Sequence, residues 1–123
     1  MICGMLSCGT SCSYERQPAL LKDILTALDR IDSYTKGLSF EVFVTDEKTA
    51  NAVIYNFLVI GEAVKMLPQT ITDNYPEIPW RQIAGMRDKL THTYFSTDYE
   101  LVWKTITVVL PQFRTVIQKM LEK

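Results

Sequence analysis

Ser39-Phe40-Glu41-Val42-Phe43-Val44 decides the fold class, because its β-branched and aromatic content could make it a strand in a chain whose other segments carry helical patterns. A strand needs a partner. Alone, its backbone N–H and C=O groups would lack the ladder hydrogen bonds that a sheet supplies. No second segment with an alternating apolar pattern is present to pair with it. The stretch therefore reads as a connection between helices, and the chain as all-α.

On its N-terminal side, Pro18 suits a first helical position, and Leu21, Ile24, Leu25, Leu28 and Ile31 follow at steps of three and four until Gly37 stops the pattern. Lys22, Asp23, Asp29, Arg30 and Asp32 fall on the opposite face, which is a solvated face and not a set of paired catalytic carboxylates. On its C-terminal side, Asp46 is placed to cap a long central helix. The apolar face of that helix runs through Ala50, Val53, Ile54, Phe57, Leu58, Ile60, Gly61 and Val64. Gly61 costs about 1 kcal/mol relative to alanine in a helix interior, which is tolerable where a neighbouring helix backbone must come close. Pro68 ends this helix, a short helical piece up to Tyr75 follows, and Pro76 and Pro79 stiffen the approach to the next one. Trp80, Ile83, Met86, Leu90 and Tyr94 then recur at helical steps. Ser96 or Thr97 is expected to cap the final helix, with Asp98 and Glu100 in its first turn and Leu101, Val102, Ile106, Val109, Leu110, Phe113, Val116, Ile117 and Leu121 on its apolar face. Pro111 is expected to kink that helix without ending it. The expected fold is an up-and-down helical bundle of about four main helices plus short extra turns, one domain over residues 18–123.

Residues 1–17 read differently. They contain all three cysteines, Cys3, Cys8 and Cys12, with no C-x-x-C pair and no nearby histidine, so a zinc site is not expected there. Their Ser/Gly/Thr-rich composition fits a disordered or non-native leader, and they lack the basic start and continuous apolar core of a secretory signal. No apolar run elsewhere is long enough to span a bilayer, and a cytoplasmic protein is expected. The 13 basic and 14 acidic residues leave a net charge of −1, so no global positive field attracts nucleic acid. Any contact with RNA must be local, which argues against a stable binder with a broad basic surface.

Chemistry concentrates in Arg87-Asp88-Lys89-Leu90-Thr91-His92-Thr93-Tyr94, which holds the only histidine of the chain. Imidazole can take and give a proton near neutrality, and a guanidinium grips a phosphate or a developing oxyanion, so the pair points to acid–base chemistry on a phosphodiester. The competing reading makes His92 a helix-end cation that complements the dipole and Arg87 a solvated charge. Tyr94, on the apolar stripe, reads from periodicity as a core aromatic. One histidine with scattered carboxylates offers no ligand cluster, so neither a metal nor a cofactor is expected.

The form R-x-x-x-x-H-x-Y, together with Ile60-Gly61-Glu62-Ala63-Val64-Lys65, Ile78-Pro79-Trp80-Arg81-Gln82-Ile83-Ala84-Gly85-Met86 and Asp98-Tyr99-Glu100-Leu101-Val102-Trp103, resembles the HepT family of HEPN-domain ribonuclease toxins. The likeness runs in order from about Pro18 to the C-terminus. It implies a metal-independent endoribonuclease of a type VII-like toxin–antitoxin pair, with Arg87 and His92 catalytic. It also implies a homodimer whose RNA cleft is lined by the Arg and His of both copies, and a cognate nucleotidyltransferase antitoxin that attaches adenylate to Tyr94. Asp88, polar and adjacent, is a positioning candidate, while Glu62 is either an exposed helix carboxylate or a group that orients Arg87 or His92. At 100° per residue Tyr94 shares the face of Arg87, but His92 lies about 140° from it. Either the helix loosens near Thr91, or two copies of the segment meet across a two-fold axis. The alternative function is a non-catalytic helical partner, or substrate-presenting subunit, of a nucleotidyltransferase; such a module would tolerate the loss of His92. A plain dimerisation bundle is a third.

Overall fold

A computed structural model describes the backbone of residues 9–92 and 98–122 and the side chains of residues 18–90 and 98–122. In chain order the elements are α1 (Gly9–Thr35), α2 (Phe40–Thr45), α3 (Glu47–Met66), α4 (Gln69–Thr72), α5 (Trp80–His92), α6 (Tyr99–Lys104), a π-helical turn (Thr105–Val109) and α7 (Leu110–Glu122). Among the described residues there is no strand, and the fold is all-α as expected.

The stretch around Phe40 is helix α2. The Ser39 hydroxyl caps it by accepting from the Val42 N–H at 3.3 Å. Its aromatic residues serve packing and not pairing: fully buried Phe43 meets the Trp103 ring at 5.0 Å and the Tyr99 ring at 6.2 Å, which ties α2 to α6. Asp46 then caps α3, its carboxylate accepting from the Thr49 N–H at 3.1 Å and the Thr49 hydroxyl at 2.7 Å. Those hydrogen bonds hold the Asp46 carboxyl below the usual carboxylate range.

Helix α1 extends upstream of the expected start to Gly9, which places Pro18 inside it, where the missing N–H removes one helical hydrogen bond. It ends at Thr35, and Gly37 follows in the left-handed region (φ +78°) that a side chain would resist. Leu21, Ile24, Leu28 and Ile31 are buried and Leu25 is half-buried, so the predicted stripe is the inner face.

Helix α3 packs against both α1 and α5, and α7 packs against α1. Leu20 and Asp23, midway along α1, share a groove with Leu58, Glu62 and Met66 from the second half of α3. Phe57 and Ile60 from α3, Ile83 and Met86 from α5 and Phe113 and Ile117 from α7 belong to one core. Arg114 of α7 bonds to Asp29 of α1 at the surface.

The last helical run departs from expectation in its cap and carries one unforeseen feature. Its cap is Asp98, whose carboxylate accepts from the Leu101 N–H at 3.0 Å; Ser96 and Thr97 lie outside the described residues. Pro111 does not end the run, yet the turn ahead of it is widened: the Leu110 N–H reaches back to the Thr105 carbonyl, an i→i−5 bond. A proline ring clashes with the carbonyl four residues upstream, and a π turn is one way to move that carbonyl aside.

Candidate active site

The site begins with a missing side chain. A Cβ added at Gly61 would lie 2.7 Å from the Arg87 Cβ and 3.5 Å from the Ala84 carbonyl oxygen, so only glycine lets α5 cross α3 this closely. That approach delivers Arg87 to the next residue on α3. Its Nε donates to Glu62 Oε1 at 2.9 Å, while its Nη1 donates to Asp88 Oδ1 at 3.2 Å. Lys65, three residues along α3 from Glu62, donates to the same Asp88 oxygen at 3.3 Å. The result is a chain of alternating charge, Glu62–Arg87–Asp88–Lys65.

The Lys65 hydrogen bond, then its charge, and to a lesser degree Arg87 hold the Asp88 carboxyl below its ordinary range. Asp88 therefore keeps its charge to lower pH than an isolated aspartate would. Bonds at Nε and Nη1 orient the guanidinium, while the side chain stays 39% exposed. A groove of about 430 Å³ opens beside it, bordered by Leu20, Asp23, Glu62, Met66 and Arg87.

Arg87, Asp88 and Glu62 from the sequence reading are thus brought together. Lys65 received no role there, although its i, i+3 spacing from Glu62 places both on one side of a helix. The α5 backbone is helical through Thr91 and His92, so no loosening occurs before the histidine, and the separation of about 140° from Arg87 stands. The side chain of His92 and the whole of Tyr94 lie outside the described residues. Among the described residues no three His, Cys, Asp or Glu side chains converge to hold a metal, and no helix is long and apolar enough to cross a membrane.

Comparison with known proteins identifies the family of the chain. The family description "Ribonuclease HepT-like" matches residues 24–120. The chain is 42% identical to "Putative RNase MJ0125" of Methanocaldococcus jannaschii over 104 residues, which is 85% of this chain and 90% of that protein. It is also 42% identical over 100 residues to "Probable ribonuclease HepT" of Thermococcus cleftensis, 81% of this chain and 91% of that one. No solved structure matches it.

Proposed function

Since the chain belongs to the HepT-like ribonuclease family, we propose that it is a metal-independent endoribonuclease toxin whose cleavage site is shared between two copies. The observation that carries the reading is the Arg87 guanidinium, held by Glu62 at 2.9 Å and Asp88 at 3.2 Å. Such a group suits the charge that builds on the phosphorane oxygens, because a preorganised donor spends no reorganisation as the charge develops.

The nucleophile is the substrate's own 2′-hydroxyl. An imidazole of His92 accepts its proton as the 2′-oxygen attacks phosphorus, and a protonated imidazole gives a proton to the departing 5′-oxygen, leaving a 2′,3′-cyclic phosphate and a 5′-hydroxyl. Glu62 and Asp88 act through Arg87, as positioning residues. The angle between Arg87 and His92 along one continuous helix favours a composite site in which each phosphate meets Arg87 of one copy and His92 of the other.

Control completes the proposal. A cognate nucleotidyltransferase in the same cytoplasm transfers adenylate from ATP to the Tyr94 hydroxyl, two residues beyond His92, with release of pyrophosphate, and the added bulk and negative charge bar an RNA phosphate from Arg87. Weighing the protein after coexpression with such an enzyme tests this: wild type gains one adenylate, and Tyr94→Phe gains none.

The test of catalysis is RNA cleavage by wild type and His92→Ala with a chelator present, with the product ends mapped. Wild type should cut and leave 2′,3′-cyclic phosphates, while His92→Ala should retain its helical circular dichroism and not cut. Cleavage that survives the substitution or stops with the chelator would overturn the mechanism, and survival would favour the non-catalytic partner.

A further inference from the structure

The opposite flank of α5 borders a second cleft of different chemistry. Between α5 and the α6–π run lies a cavity of about 370 Å³, within the size range of small-ligand pockets. Its floor is apolar, from Met86, Leu101 and Val109, and Arg81, Gln82 and Lys89 stand along its α5 side. Among the described residues that line it there is no carboxylate, whereas Asp23 and Glu62 both line the groove beside Arg87. The π turn forms one wall, as both Thr105 and Val109 border the space.

Helical register connects this cleft with the histidine. Position 92 falls within about 20° of position 85 and about 60° of position 89 around the α5 axis. Among the described residues a Cβ at Gly85 would meet nothing within 4 Å, so they leave the helix surface between Arg81 and Lys89 open. We propose that the cleft is a nucleobase subsite: a base next to the scissile bond inserts against Met86, Leu101 and Val109, under the Arg81 guanidinium. The adjoining phosphate meets Lys89, and the Gln82 amide reaches the base edge with both a donor and an acceptor. This rests on the ribonuclease reading and deepens it, assigning to Arg81 and Gln82 the choice of nucleotide.

The chemistry favours RNA as the occupant. An apolar slot with cations, and with no carboxylate among the described residues that line it, complements a base and its phosphate, and guanidinium planes stack on unpaired bases. A second copy laid on the same face across a two-fold axis would instead bring Arg81 and Lys89 towards like charges.

The test uses the full chain and fluorescein-labelled RNA oligomers made uncleavable by 2′-O-methylation, with one abasic residue walked along the strand. One abasic position should weaken binding to wild type by about tenfold, the loss expected for one stacked base. Val109→Phe, which fills the cleft, and Arg81→Ala, on the exposed surface, should weaken the intact oligomer comparably and make that position indifferent. If Val109→Phe does not fold, Arg81→Ala and Gln82→Ala carry the comparison. No binding, binding that ignores every abasic position, or variants that keep the base dependence would overturn the subsite. So would a variant that converts a dimer to a monomer, since the cleft would then be an interface between copies. Cleavage by wild type and His92→Ala, run in parallel, reports on the underlying reading: cutting that depends on His92 but on no base removes the subsite alone.

Discussion

Two glycines on adjoining helices have opposite reasons to be there. Gly61 is glycine because Arg87 occupies the space a Cβ would need, whereas among the described residues a Cβ at Gly85 would meet nothing within 4 Å. The first glycine belongs to a packed crossing that sets the position of a guanidinium among two carboxylates and a lysine. The second lies on the open flank, between two cations beside a cleft without a lining carboxylate among the described residues. One helix thus carries a tightly specified flank and an open one, and conformational freedom explains neither glycine, since both are helical. What differs is whether the chain itself supplies the close neighbour.

The sharpest way to probe the contrast is Arg87→Ala, expected to lower kcat/KM for RNA cleavage about a hundredfold or more, as for loss of an oxyanion donor. A variant that cuts within threefold of wild type would break the claim that this flank is the catalytic one. Gly61→Ala comes next. The inserted methyl should cost about 1–3 kcal/mol through overpacking, in spite of the gain in helix propensity, and should lower the thermal midpoint along with the rate. An unchanged midpoint would mean that the crossing is looser than the 2.7 Å approach indicates.

Glu62→Gln removes the charge from one anchor of Arg87 in an exposed pair worth up to about 1 kcal/mol, so cleavage should slow by up to roughly fivefold while the thermal midpoint holds. A parallel loss of stability would reassign Glu62 to the scaffold. Gly85→Ala should raise stability by about 0.5–1 kcal/mol, the cost of glycine in a helix interior. If denaturant titration shows a loss, another body packs against that surface.

The smallest effect concerns the Asp88 carboxyl, whose folded-state pKa lies below the unfolded one. Its contribution to stability is present above the unfolded value and disappears as pH falls through the folded value. Replacing Lys65 with Gln removes the first cause of that depression. The Asp88 titration followed by NMR should then move up towards the usual carboxylate range, and no movement would assign the depression to Arg87 instead.

Much of the molecule was legible before its structure. The stripes on α1, α3, α5 and α7 are inner faces, and the Asp46 cap and the stop at Gly37 are where local chemistry put them. Rejecting a strand at Ser39–Val44 depended on a global argument, the absence of a partner, and the segment proved to be a capped helix. The final cap was misplaced by one or two residues because Ser96, Thr97 and Asp98 all carry capping side chains in succession. Which one serves depends on where the backbone turns helical, and pattern does not resolve that.

The candidate site divides in the same way. Spacing and resemblance selected Arg87, His92, Asp88, Glu62 and Tyr94, because a motif is read along one chain. Apolar periodicity likewise determined the helices and their inner faces, since it is a property of each segment alone. Only the tertiary structure decided that Lys65 shares the Asp88 carboxylate with Arg87, that a π turn precedes Pro111, and that a cleft opens on the far flank of α5. Those features depend on the distance and angle at which helices cross, and a crossing is set by many side chains from both partners at once.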